Sequence, residues 1–394
     1  MEGSAIRDPL VLNDMPIAED RDRAWQLLLG RGDVIAVDGS LAALNQDSVE
    51  AVMRHADVFS SERAFESLNS PIPLVPITFD PPDQTRYRRI LQPFFSPRSI
   101  RPLEATLRAH VIELIEPLVE RGGCDFVAEV GDLFPIQTFL AFFGLPMQDL
   151  TKLKAWKEDI LSATDASGLP TGEGDPASAI ELIGYLGELI QSRRGVAGDD
   201  VLSQLLCAEG DDALDDAEAL GLCFLFVLAG LDTVTGSLSF GMERLARNPE
   251  RRKEIVDDPG LIPAAVEELL RLDPPAPFVP RVSVIGTRLG GRVLPAGTRV
   301  TSYLAVANRD ESVRPHPLEI DFHRGENPHA SFGLGVHRCL GSHLARLEMR
   351  IVYEEWHRRI PNYELAAGPA PRVKWPRGTL GLESLNLTFL GDHS

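Results

Sequence analysis

The residues best equipped for chemistry lie in one short string, FGLGVHRCLG, from Phe332 to Gly341. Gly333, Gly335 and Gly341 surround Cys339 in a loop leading into a helix, whose Leu340, Leu344, Leu347 and Ile351 share one apolar face. A helix N-terminus presents unpaired N–H groups and positive partial charge, which stabilise a thiolate. Glycines permit positive φ and let backbone approach a bulky planar group. A thiolate held this way suits an axial haem ligand, which pushes electron density toward oxygen and favours O–O cleavage. A zinc site could draw on His337, Cys339 and His343, but no second cluster supplies a fourth ligand at the usual spacing. A nucleophilic cysteine would need a base and an oxyanion hole that nothing here specifies. The plain alternative is a buried structural cysteine or a glycine-rich turn.

Ala229-Gly230-Leu231-Asp232-Thr233 sets an acid beside an alcohol within an otherwise apolar helix. Burying both costs free energy unless they are hydrogen-bonded. The helix could simply surface after Leu231, but Val234, Leu238, Phe240, Met242 and Leu245 continue its apolar character. Oxygen cleavage consumes protons, which an acid–alcohol pair can deliver. Upstream of the cysteine string, Glu268 and Arg271 stand at i and i+3, so carboxylate and guanidinium share a helix face. Alone, that spacing far more often marks a solvated surface pair.

These groups must be positioned by a mostly helical frame. Periodicity predicts helices over 19–30, 46–56, 83–94, 103–121, 134–143, 149–164, 177–193, 214–247 and 262–272, and a last long one starting near Cys339. Residues 33–45 read as two strands around Asp38-Gly39, 288–305 as further strands, and 380–390 as a strand-like tail. Pro71, Pro73, Pro76, Pro81 and Pro82 bar regular helix between the second and third helices. At about 150 residues per domain, 394 residues would allow two or three. No Pro/Gly/Ser linker divides the chain, so one large domain over 1–394 is expected, with 1–18 loosely ordered.

Apolar residues make up 44% and charged ones 25%, which excludes a disordered or collagen-like chain. The net charge of −19 makes nucleic acid an unlikely partner. Four cysteines without a CxxC or CxxCH pair argue against a disulfide framework, a zinc ribbon and covalently attached haem, and fit a reducing cytoplasm. The N-terminus lacks a signal-peptide pattern, and the uncharged stretch Ala219–Leu231 is too short to span a bilayer. No membrane insertion is expected.

At the cysteine string the sequence resembles the cytochrome P-450 superfamily, soluble bacterial type. Phe332, Gly335, Cys339 and Gly341 complete its Phe-x-x-Gly-x-x-x-Cys-x-Gly signature, and the other motifs follow in the family's order over nearly the whole chain. The resemblance implies the mostly α P-450 fold, haem b as cofactor, Cys339 as its axial metal ligand and Phe332 packed near the sulfur, with Gly333 and Gly341 beside the haem. Glu268 and Arg271 would be a buried structural pair bracing the cysteine loop, with Arg324 or Arg309 as third partner. Ala229 and Gly230 would leave room beside the haem, Thr233 would hydrogen-bond dioxygen, and Asp232 would relay protons from solvent. Arg88, Arg281 and His337 match positions that contact the haem propionates, and Gln84 stands where many members have His.

The implied activity is monooxygenation, one atom of O2 entering a hydrophobic small molecule such as a terpenoid, steroid or fatty acid. Pocket walls carried over from the family are Leu68, Ile72, Leu74, Val75, Phe226, Val227, Phe278, Val279, Thr379 and Leu380, nearly all apolar. Electrons would come from a separate ferredoxin and its reductase, docking on a basic patch of Arg86, Arg89, Arg338, Arg346 and Arg350. A monomer is expected. The rivals are a peroxide-driven peroxygenase, whose family members lack the acid–alcohol pair, and a non-catalytic haem- or lipid-binding protein.

Overall fold

A computed structural model describes residues 10–65, 70, 72–165 and 171–391. Its helices are α1 (Arg21–Leu28), α2 (Gln46–Arg54), α3 (Glu62–Phe65), α4 (Asp83–Leu91), α5 (Pro97–Ile100), α6 (Glu104–Arg121), α7 (Leu133–Phe143) and α8 (Leu150–Ser162). They continue with α9 (Pro176–Arg193), α10 (Val201–Leu206), α11 (Asp216–Arg247), α12 (Pro249–Asp257), α13 (Ile262–Leu272), α14 (Leu304–Ala307) and α15 (Ser342–Arg359). Five strands form one sheet in the order β1 (Val34–Val37), β2 (Ser40–Ala43), β8 (Arg299–Tyr303), β5 (Phe278–Ser283), β3 (Phe59–Ser60). A second sheet orders β4 (Gly123–Asp125), β10 (Asn386–Phe389) and β9 (Tyr363–Leu365), and β6 (Thr287–Leu289) pairs with β7 (Arg292–Leu294) as a hairpin.

The β1–β2 turn is carried by Asp38 and Gly39, both at positive φ (47° and 74°), the twist a two-residue hairpin requires. α11 opens with a capping box, Asp215 bonding the Glu218 N–H and Glu218 returning to the Asp215 N–H. It is long and apolar enough to cross a bilayer, yet most of it is buried inside the protein. It packs against α7, α8, α9, α12, α13 and α15. Val227, Leu231, Val234 and Leu238 fall on its core face, each side chain contributing roughly 1.5–3 kcal/mol by burial. Gly221, Gly236 and Gly241 let the Pro73 carbonyl, the Leu380 carbonyl and the Tyr353 hydroxyl lie directly on that helix.

Several expectations need correction. β5 hides among Pro274, Pro275, Pro277 and Pro280, which mask a strand signal. Leu304 and Ala305, read as the end of the strand segment 288–305, instead open the single turn α14. The last helix starts at Ser342, so Cys339 precedes it rather than opening it. Within 380–390 only Asn386–Phe389 pairs as a strand, while Leu380 donates its N–H to the Pro275 carbonyl. Residues 1–9 lie outside the described residues. From Leu10 the segment packs, with Leu12, Met15 and Ile17 buried.

The Glu268–Arg271 pair ties α13 to the segment before the cysteine loop. Both side chains are 0% exposed and joined by two bonds of 2.8 Å. Glu268 also accepts from Arg324 Nε at 2.9 Å, Asn327 Nδ2 at 2.9 Å and the Asp321 N–H at 3.0 Å. Burial pushes its pKa up, but Arg271 and Arg324 outweigh that and hold it below the ordinary carboxylate value. Arg271 spends its other N–H groups on the carbonyls of Asn308 and Pro317. Arg324 is thus the third partner. Arg309 turns instead to the carbonyls of Leu272 and Ala305 and to Asp22 at 2.9 Å. Asn308 extends the network, bonding the Arg271 carbonyl, Ser331 Oγ and the Ala330 N–H, which fixes the chain one residue short of Phe332.

Glu268→Ala leaves Arg271 and Arg324 without their carboxylate, a cost of roughly 3–5 kcal/mol. The variant should fold poorly and retain little haem, measured by thermal melting and haem-to-protein ratio; normal values for both would show that the pair braces nothing. Gly221→Ala drives a methyl into the Pro73 carbonyl and should cost about 1–3 kcal/mol. Gly184→Ala, with nothing within 4 Å of its Cβ position on α9, should stabilise by about 0.5–1 kcal/mol in the same melting assay.

Candidate active site

The cysteine loop is shaped by its own backbone and by α2. Cys339 donates its N–H to the Phe332 carbonyl at 2.7 Å. Gly335, at φ 68°, sits where a Cβ would strike the Met53 carbonyl, so α2 rather than a planar ligand demands glycine there. Gly341 and Gly230 differ: a Cβ on either meets nothing within 4 Å, so both border open space. The Cys339 side chain also reaches that kind of space, with protein packed around its other sides. This crowding pushes the thiol pKa up, against the Gly341 N–H and the charges of Arg88, Arg338 and Arg346, which pull it down. Among the described residues no three His, Cys, Asp or Glu side chains cluster as a metal-ligand set. A lone cysteine ligand suits a metal whose remaining donors come from a macrocycle.

Beside Cys339 lie two arginines and a histidine with too few anions. Arg281 is 3% exposed, bonds only the Pro280 carbonyl among the described residues, and is pushed down to about 10 by burial. His337 is pushed down to about 4 by burial, then by Arg281 and Arg88. Its Nε2 has no hydrogen-bond partner among the described residues and stands 3.9 Å from Asp80. Arg88 is lowered by burial too, and bonds the Arg338 carbonyl at 2.7 Å. Two carboxylates entering here would satisfy all three, so the residues present fit a haem with its propionates. Gln84 faces the loop instead, giving an amide N–H to the Val336 carbonyl. A cleft of about 540 Å³ runs there, lined by Gln84, Thr85, Arg88, Arg89, Gln92 and Val336, among others.

On α11 the open face carries Phe226, Ala229, Gly230 and Thr233, spaced i, i+3, i+4 and i+7, all at least partly exposed. The Thr233 hydroxyl donates back along the helix to the Ala229 carbonyl at 2.8 Å. Asp232, one residue earlier, points into the protein. It is 4% exposed, lies 3.3 Å from Lys157 Nζ, and accepts from Thr379 Oγ1 at 2.7 Å. Lys157 also reaches Asp132 at 3.4 Å. Asp232, expected to relay protons from solvent, therefore meets a buried lysine and a threonine hydroxyl. Sequence reasoning missed Lys157, although Leu153, Trp156, Lys157 and Ile160 place a lysine within an apolar helical stripe.

The pocket expectations divide. Val75 and Val227 are fully buried and present no surface to a ligand; Val227 lies on the core face of α11. Leu74 and Leu380 are nearly buried, while Ile72, Phe226, Phe278, Val279 and Thr379 keep accessible surface. Phe278 also packs on Trp25 and Tyr303, at ring separations of 5.8 and 4.9 Å. Leu68 lies outside the described residues. The basic patch fails as a free charge. Arg86 pairs with Glu218, Arg89 with Asp212, Arg346 with Glu267, and Arg350 with Glu104 and Glu354. The sequence displayed the arginines but not these partners.

A family model described as cytochrome P-450 matches residues 260–357, spanning Glu268, Arg271 and Cys339. Cytochrome P-450 130 of Mycobacterium tuberculosis is 33% identical over 357 residues, covering 85% of this chain and 87% of that protein. The vitamin D(3) 25-hydroxylase of Pseudonocardia autotrophica is 32% identical over 302 residues, covering 76% and 73%. The solved structure of cytochrome P-450 CREJ in complex with (4-ethylphenyl) dihydrogen phosphate superimposes with a TM-score of 0.88 at 25% identity, covering 96% of this chain and 100% of that one. A glycine-rich cysteine loop, buried Arg and His groups short of anions, and relatives matched along most of their length converge, and the chain belongs to the cytochrome P-450 family of haem b-dependent monooxygenases.

Proposed function

We propose that Cys339 is the axial haem ligand of a bacterial-type monooxygenase that oxidises a hydrophobic small molecule of terpenoid, steroid or fatty-acid type. One observation carries the reading: Cys339 and Gly341 border open space next to Arg281 and His337, buried polar groups that lack the anions a haem edge would bring. The bound haem supplies dioxygen activation. Arg88 and Arg281 would neutralise its carboxylates and the His337 ring would hydrogen-bond one of them, fixing its orientation. Thr233 Oγ1, on the open face of α11, would offer a hydroxyl beside the reacting oxygen, and Asp232 would supply protons toward that face. That carboxylate is held by Lys157 and Thr379, so proton delivery runs through a buried polar group set. The part-exposed Ile72, Phe226 and Val279 are apolar side chains that would face a hydrophobic substrate, in keeping with the vitamin D(3) named by one relative. Electrons come from a separate iron–sulfur ferredoxin and reductase. With four of the five arginines already paired, this donor docks by shape along the cleft beside α4. The protein acts as a cytoplasmic monomer.

Thr233→Ala should still bind substrate and consume NADPH through ferredoxin, while yielding less product and more peroxide. Asp232→Asn should slow turnover roughly 10²-fold or more, as loss of a positioned proton donor does. Product-to-NADPH ratios and turnover rates check both. Full coupling in the first together with full turnover in the second would overturn the reading.

A further inference from the structure

Glu267, directly before the buried Glu268, leaves α13 about 100° further round and meets a different part of the cysteine loop. It accepts two parallel bonds from Arg346, Nε to Oε1 at 2.6 Å and Nη2 to Oε2 at 2.7 Å. A third bond comes from His329. The Ser331 N–H donates to His329 Nδ1 at 3.2 Å, so the ring proton sits on Nε2, which faces Glu267 Oε2 at 3.2 Å. The guanidinium held by this carboxylate lies 4.3 Å from the centre of the Phe332 ring. The His329 ring stands 6.1 Å from the same ring. Phe332 in turn accepts the Cys339 N–H at 2.7 Å. Between them Gly333 and Gly335 both adopt positive φ and contribute no side chain to fix the path.

We infer that Arg346, oriented by Glu267, is a positioning residue for the cysteine ligand: it clamps the Phe332 ring and thereby fixes the loop that carries Cys339. An ordinary surface ion pair is the competing explanation, since Arg346 and Glu267 side chains are 27% and 30% exposed and such pairs contribute little. The two-point fork, the third donor and the ring beneath the guanidinium set this pair apart from Arg350, on the same helix, which among the described residues meets only Glu104 and Glu354.

The inference rests on Cys339 being the haem ligand, and its test separates the two. Holoprotein is reduced under carbon monoxide, and the loss of the red-shifted Soret band is timed beside the ferric/ferrous potential and a thermal melt. Arg346→Lys keeps the charge but loses fork and stack; Glu267→Gln keeps the shape but loses the charge pairing. Each should speed band loss by roughly two- to tenfold and move the potential. The double variant should be little worse than either single one, because the two residues act as a unit. Arg350→Lys should match the parent. Parent-like kinetics and potential in both variants, additive effects, or an equal change in Arg350→Lys would overturn the clamp. A parent protein that never shows the band would overturn the ligand assignment instead.

Discussion

A carboxylate with no contact to water, Glu268, accepts hydrogen bonds from Arg271, Arg324, Asn327 and the Asp321 backbone, and the cysteine side of the molecule depends on it. Buried charge is tolerated only where every lone pair and proton finds a partner. Satisfying Glu268 and Arg271 gathers carbonyls and side chains from across residues 308–327 onto one turn of α13. The chain then runs on through Ala330 and Ser331, held by Asn308 and Leu270, into the loop of Cys339. The loop that presents Cys339 is thus anchored by polar bonds inside an apolar core. Packing alone would leave a glycine-rich loop free to slide.

The distal helix works differently. α11 is positioned by close approach, with backbone carbonyls and a tyrosine hydroxyl resting where glycines leave space. Asp232 and Thr233 then diverge because adjacent helical residues point about 100° apart. Thr233 stays on the open face while Asp232 enters the ion pair with Lys157. Lys157 and Arg271 are buried against carboxylates, whereas buried Arg281 bonds only a backbone carbonyl among the described residues.

Local periodicity made α13 readable to the residue, and turn chemistry did the same for the β1–β2 hairpin. The cysteine string was readable because few structures need that many glycines around one thiol. What stayed hidden depends on distant partners. The sequence left Arg324 and Arg309 level as third partner, since the choice is made by the path of residues 308–327. The arginines of α4 and α15 looked like a free basic surface because Glu218, Asp212, Glu267 and Glu104 approach from other elements. Val227 looked like a pocket wall until the helix phase set it on the core side. β5 was concealed by prolines whose missing N–H groups its ladder tolerates.

The central claim is that one thiolate, from Cys339, binds the haem iron. Absorption spectra of the reduced, carbon monoxide-treated protein test it most directly, comparing Cys339→His with Ala variants of Cys124, Cys207 and Cys223. The account predicts that the red-shifted Soret band disappears in Cys339→His alone and survives the other three substitutions. A Cys339→His protein that kept the band, or its loss in any of the other three with haem retained, would contradict it.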